Sequence, residues 1–235
     1  MRRHVPKKEN LEKSRLIRTY RECGFGEEKF GKDWTRYDIN NFSFFMGEPN
    51  TEALEDPGSL LIPLSKPWQE YFRQHPDDFE AIERYAMEVD NFEEERLEDL
   101  IIPEESEYDI VEVDAEIFNR LKSEEWSADL VQAYEDFEEY DEWGAGFVKM
   151  KDGEIAGGIS AYIPYEDGYE VEIDVHPEHQ SQGLGKSLAS YFILNCIEND
   201  ATPYWDAHTE VSRDLALKLG YKVTGSYTAY VQRER

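Results

Sequence analysis

The sequence predicts an α/β (α+β) chain whose mixed, mostly antiparallel central sheet is flanked by helices, with an accessory α/β region in front of it. Three observations carry that expectation. Residues 146–150, 155–162 and 169–175 are strand-like runs joined by Lys151-Asp152-Gly153 and Glu166-Asp167-Gly168, and Asp-Gly pairs between such runs signal tight hairpins. A helical stripe of Leu184, Leu188, Tyr191, Phe192 and Cys196 begins directly after Gly183. Of the 235 residues 40% are apolar and 14% aromatic, which is enough material for a packed interior.

In chain order, residues 11–23 mix apolar and charged positions and stop at Gly24, as a glycine-terminated helix does. Phe30, Trp34, Tyr37, Phe42, Phe44 and Phe45 then read as strands on an aromatic core. After the turn residues Pro49, Pro57 and Gly58, Leu60, Leu61 and Ile62 form a short buried strand. Pro76-Asp77-Asp78 is expected to open a helix, because Phe79, Ile82, Ala86 and Val89 recur at helical spacing. The polar break Ile102-Pro103-Glu104-Glu105-Ser106 divides an accessory domain, 1–105, from a second domain, 106–235. Beyond it, 110–113 alternates as a strand, 115–122 reads as a helix and 127–140 as a second, very acidic helix. The meander and the long helix follow. Trp205 and Ala207 lie on a short strand, another helix runs to Leu219 and stops at Gly220, and two strands, 221–223 and 227–232, close the chain.

Lys and Arg number 25 against 53 Asp and Glu, a formal net charge of −28. Phosphate backbones demand the opposite sign, so a nucleic-acid partner is excluded. The same field concentrates cationic small molecules at an acidic cleft; the bland alternative is a solvated acidic surface. Cys23 and Cys196 make neither a disulfide framework nor a metal pattern. No apolar run approaches a membrane span, and none follows the basic first residues, so a soluble, cytoplasmic chain without a membrane partner is expected, as monomer or homodimer.

The chemistry-bearing segment is 175–187, between a strand and a helix. Gly183 and Gly185 let the main chain approach a ligand without Cβ clashes, and the unpaired N–H groups of a first helical turn carry partial positive charge. The pattern is an anion cradle or, read structurally, a tight strand-to-helix turn. By the period-two rule Glu170, Glu172 and Asp174 share one face of their strand, and Val171, Ile173 and Val175 the other. Clustered acids raise one another's pKa toward useful base strength, which favours Glu172, then Glu170, as a base or water-positioning group; a solvent-facing acidic strand is the alternative.

Gln180-x-x-Gly183-x-Gly185, with the element order β-α-α-β-β-β-α-β-α-β-β around it, resembles the Gln/Arg-x-x-Gly-x-Gly/Ala signature of the GNAT superfamily of acetyltransferases. More narrowly, Glu170 to Pro177, Pro203 to Glu210 and Lys218-Leu219-Gly220-Tyr221 are similar to a bacterial subfamily that includes acetyltransferases modifying an aminopolyol antibiotic. The resemblance covers 106–235 and is looser in the front half, which would extend the sheet or wall the acceptor cleft. It implies an acetyl-CoA-dependent N-acetyltransferase in which a small amine attacks the thioester directly in a ternary complex, without a metal. It implies that amides from Gln182 through Gly183, Leu184, Gly185, Lys186 and Ser187 bind the CoA pyrophosphate, with Gln180 ahead of them. The Val175 N–H would hold the thioester carbonyl and its developing oxyanion.

In the last helix the sequence departs from the family pattern Asn-x-x-Ala-x-x-Leu-Tyr. Thr209, a donor-binding candidate, stands at the asparagine position, Ser212 at the alanine, Leu215 at the leucine and Ala216 at the tyrosine that usually protonates the leaving thiolate. Ser212, His208 or a water are the substitutes. Trp205 is expected in the core, and Asp206 and Glu210 compete between acceptor-pocket and helix-capping roles. A catalytically degenerate CoA-binding regulator is the rival reading. An acidic nucleic-acid mimic leaves the glycine motif unexplained.

Overall fold

The computed structural model describes residues 15–103 and 106–233. Residues 11–14 of the expected first helix, and Glu104 and Glu105 of the expected domain break, lie outside that description. In chain order the elements are α1 (Ile17–Glu22), β1 (Glu27–Phe30), β2 (Trp34–Ile39), β3 (Phe42–Gly47), β4 (Leu60–Pro63), α2 (Lys66–Gln74), β5 (Phe79–Val89), α3 (Glu94–Glu98), β6 (Asp109–Glu112), α4 (Ala115–Ser123), α5 (Phe137–Trp143), β7 (Gly146–Lys151), β8 (Glu154–Tyr165), β9 (Gly168–Val175), α6 (Leu184–Glu198), β10 (Thr202–Tyr204), β11 (Asp206–Ala207), α7 (Glu210–Leu219) and β12 (Tyr221–Gln232). Short 3₁₀ turns lie at Glu52–Leu54, Ala128–Leu130 and Pro177–His179. The chain packs as two compact units, Met1–Arg84 with Ser226–Arg235, and Tyr85–Gly225. The expected division at 105/106 falls inside the second of these.

In the first unit, β1, β2 and β3 are antiparallel neighbours, β3 and β4 run parallel, and Leu61 of β4 faces Tyr230 of β12. Alternation along β2 and β3 sends Trp34, Phe45 and their neighbours into a core with Trp68 and Phe72 of α2, Phe79 and Tyr230. The rings meet at favourable tilts, Phe45 and Trp68 with centroids 4.7 Å apart and Phe72 and Phe79 4.9 Å apart. The expected aromatic core is therefore present, with one correction: Phe30, on the edge strand β1, is 66% exposed. Arg36 is buried and fully engaged, by Asp38 and by the carbonyls of Ala53, Glu55 and Asp56, so it fixes the loop after β3.

The second unit holds a five-stranded sheet in the order β10-β9-β8-β7-β6, antiparallel except for β10 against β9. The hairpin between β7 and β8 turns on Asp152 and Gly153, both left-handed, as the Asp-Gly pair requires. α6 lies against this sheet with Leu188, Ala189, Phe192 and Ile193 fully buried, and Trp205, Ala216, Leu219 and Tyr221 complete the core. Trp205 is thus a core residue, as expected.

Three expectations are overturned. Residues 79–89 form β5, not a helix: Asp206 and Ala207 of β11 pair with Ala86 and Tyr85, and Thr224 donates its hydroxyl to the Ala86 carbonyl. Pairing supplied from distant chain overrides the helical propensity of a Glu-, Ala- and Met-rich segment. Residues 127–140 are not one helix, because Asp136 takes an extended conformation and caps the Glu139 amide, starting α5 afresh. Ala128–Leu130 is left as a 3₁₀ turn. The two closing strands are one, since β12 passes through Gly225 without a break. α2 and α3 were not anticipated.

Candidate active site

The pairing of β9 fixes where its main-chain groups point. His176 donates its N–H to the Ala156 carbonyl at 3.0 Å, and Val175 lies opposite Gly157. Direction alternates along an antiparallel ladder, so the N–H groups of Val175 and Ile173 point away from β8. On that side β10 accompanies β9 from Gly168 to Glu170. The chain then departs, and Asp206 and Ala207 pair with β5 instead. β9 and β10 splay beyond Tyr204, and the outward amides of Ile173 and Val175 line the opening, that of Ile173 donating to Glu172 Oε1 at 3.4 Å.

The side chains of β9 sort by face as expected. Val171 and Ile173 pack on the α6 core and Val175 against Leu184, which places Glu170, Glu172 and Asp174 on the other face. Their environments differ. Glu170 is 4% exposed and accepts the Tyr165 hydroxyl at 3.0 Å. Glu172, opposite Ser160, is half-buried. Asp174 lies opposite Gly158, and burial, with a smaller push from the Asp129 carboxylate, raises its carboxyl to about 6.

Past β9 the chain turns through Pro177–His179 and reaches two left-handed residues, Ser181 (φ 63°) and Gly183 (φ 84°), on either side of Gln182. Gly183 is the N-cap of α6 and brings no side chain to the first-turn amides. Ser187 donates its N–H to the Gly183 carbonyl at 3.0 Å, so the amides of Leu184, Gly185 and Lys186 precede the helical ladder and have no acceptor within it. In α4, α5 and α7 the side chains of Asp114, Asp136 and Thr209 take such an amide. α6 is fifteen residues long and leaves its positive end open, which is an anion cradle. A Cβ at Gly183 would meet nothing within 4 Å. At Gly185 it would make only ordinary contacts, 3.7 Å to Val175 and 3.8 Å to Ile173. Crowding within the protein therefore does not account for glycine at 185.

The remaining candidates take definite places. Gln180 donates its amide to the Val175 carbonyl at 3.3 Å, and Gln182 donates to the Glu178 carbonyl at 3.4 Å, so both brace the loop with their side chains. Ser187 is fully buried and its hydroxyl accepts the Ile102 N–H at 2.9 Å, which turns that side chain inward. Lys186 is half-buried at the helix start. Thr209 caps α7 through the Ser212 N–H at 3.1 Å, the capping role weighed for Asp206 and Glu210. The Ser212 hydroxyl accepts the Trp205 indole N–H at 3.0 Å and keeps its own proton to donate. Ala216 is fully buried in the core. Sequence reasoning missed Tyr108, whose hydroxyl meets Gln182 and His179.

Comparison with known proteins bears on the family and the fold. Residues 25–230 match the GNAT acetyltransferase family. An uncharacterized N-acetyltransferase of Bacillus subtilis, YdfB, is 30% identical over 89 residues, 37% of this chain and 34% of that protein, so only about a third of that relative is matched. Among solved structures, a GCN5-related N-acetyltransferase-like protein of Streptococcus suis superposes with a TM-score of 0.86 at 27% identity, covering 97% of this chain and all of that one. A GCN5-related N-acetyltransferase of Kribbella flavida shares the fold, with a TM-score of 0.58 at 14% identity over 91% of each chain.

Proposed function

Since the chain belongs to the GNAT acetyltransferase family and is an acyltransferase, we propose that it moves an acetyl group from acetyl-CoA, the usual donor of the family, to the amine of a small acceptor. One observation carries the assignment of the donor site: the splay of β9 from β10 turns the Val175 amide outward beside the uncapped amides of Leu184, Gly185 and Lys186. The helix end takes the CoA pyrophosphate, and the strand amides take the pantetheine arm and the thioester carbonyl.

The mechanism we propose is direct attack in a ternary complex. The free amine adds to the thioester carbon and the oxyanion forms against an outward β9 amide. The C–S bond breaks, the ammonium proton passes to a carboxylate and the departing thiolate takes a proton. On the acid face Glu172 and Asp174 are both half-buried, and we assign the proton to Glu172, directly or through water. Glu170 is tied to Tyr165 and acts behind it. Ser212 is the candidate acid for the thiolate, with Trp205 orienting its oxygen. The net charge of −28 favours a cationic acceptor. Residues 106–235 thus supply the donor site, and 1–105 are proposed to shape acceptor recognition. Membership of the antibiotic-modifying subfamily belongs to this proposal too.

Calorimetric titration with acetyl-CoA, followed by thiol release across a panel of small amines, tests it. Saturable binding with turnover is expected. Binding without turnover on any amine would instead mark a CoA-binding regulator, and no binding at millimolar ligand would remove the donor-site assignment.

A further inference from the structure

We infer that Tyr108 is a positioning residue for acetyl-CoA, holding the donor loop in its anion-binding form through Gln182; the inference rests on the donor-site assignment above. Tyr108 precedes β6 and is 4% exposed. Its hydroxyl donates to Gln182 Oε1 at 2.5 Å and lies 3.0 Å from His179 Nδ1. One phenol has one proton. With that proton on Gln182, His179 Nδ1 donates to the phenol oxygen, and the Tyr108 and His179 rings meet edge to face with centroids 5.7 Å apart. The Gln182 amide is oriented by its other end, where Nε2 donates to the Glu178 carbonyl.

The bond matters because of where Gln182 sits. It lies between Ser181 and Gly183, both left-handed, and a left-handed serine is disfavoured unless its surroundings hold it. Releasing the Gln182 side chain lets Ser181 relax, and the amides of Leu184, Gly185 and Lys186 lose the loop that aims at them. Tyr108 is itself firmly set. Its N–H donates to Ser106 Oγ at 3.1 Å. The buried Lys149 ammonium lies 3.5 Å from the carbonyls of both Tyr108 and Ile102, and Ile102 in turn donates to Ser187 in the first part of α6. Residues on both sides of the cradle are therefore tied to the same stretch of chain, and the phenol is the tie that reaches the loop itself.

The test uses the full-length chain. Tyr108→Phe keeps the ring and removes only the hydroxyl, and one hydrogen bond at this site corresponds to roughly a five- to tenfold change in affinity. The KM for acetyl-CoA and the Kd for CoA by calorimetry should both rise by about that factor, with kcat at saturation within twofold of wild type. Gln182→Ala, which also removes the bond to the Glu178 carbonyl, should raise both by at least as much, and the double variant should be no worse than Gln182→Ala alone, because the phenol then has no glutamine to hold. Tyr134→Phe, which removes a purely structural hydroxyl bonded to the Ala161 carbonyl, should lower the melting temperature and leave KM alone. Wild-type protein that fails to bind CoA would overturn the donor-site assignment. Wild-type protein that binds, with Tyr108→Phe binding equally well or with additive effects in the double variant, would overturn this inference alone. A fall in kcat with unchanged KM would also overturn it.

Discussion

Alanine at the two motif glycines should move stability in opposite directions. At Gly185 the backbone is helical, and the new methyl would sit 3.7 Å from Val175 Cγ2 and 3.8 Å from Ile173 Cδ1, ordinary contact distances. Gly→Ala at a compatible site stabilises by about 0.4–1 kcal/mol through the unfolded chain, and partial burial of a methyl adds a few tenths. The sum is about 1 kcal/mol, or roughly 2–4 °C in melting temperature for a chain of this length. At Gly183 the φ of 84° places any Cβ in the left-handed region, at a cost of about 1–2 kcal/mol. Thermal unfolding by circular dichroism, with urea melts beside it, reads both. Gly185→Ala should also keep CoA affinity within about threefold, because the resembled signature admits alanine there. If Gly185→Ala lowers the melting temperature, the contact geometry between α6 and β9 is wrong.

Three further outcomes are expected. Glu172→Gln should leave the CoA Kd unchanged while lowering kcat by about a hundredfold or more, the usual size of a general-base contribution; intact turnover would remove Glu172 as the base. Asp174→Asn should stabilise the protein at pH 7. The folded carboxyl is raised to about 6 from 3.8, so the folded state binds the proton more tightly, stability from this group falls as pH rises between those values, and the variant's gain of about 1–2 kcal/mol should vanish near pH 3.5; an equal gain at both pH values would contradict it. Cys196, buried and with its thiol pushed up to about 12, should resist iodoacetamide in the native protein while the partly exposed Cys23 reacts, and mass spectrometry of the labelled peptides distinguishes the two.

The parts of the fold legible in the sequence are those encoded locally. Asp152-Gly153 dictates its hairpin, Gly220 at φ 110° ends α7, and a glycine N-cap ahead of a fifteen-residue apolar stripe announces the cradle. What failed to read was set from a distance. β5 carries apolar residues at both helical and strand spacing, and only partners at 206–207 and 224 decide between them. The acidic stretch after Ser127 reads as one helix until Asp136 is seen to cap a new one. At the site, the face shared by Glu170, Glu172 and Asp174 follows from period two, but their unequal burial does not, nor does the bond from Tyr108 to a glutamine 74 residues away.

β5 and β12 carry a consequence for the order in which the molecule is made. They lead the chain out of the first compact unit at Arg84 and back into it at Ser226. On the ribosome the first 84 residues emerge early, yet Leu61 of β4 and the aromatic cluster around Phe72 wait for Tyr230. At about 5–20 residues per second the intervening segment takes roughly seven to thirty seconds to synthesise. The unit that holds Leu61 and Phe72 is thus completed only after the whole of the second unit has been synthesised.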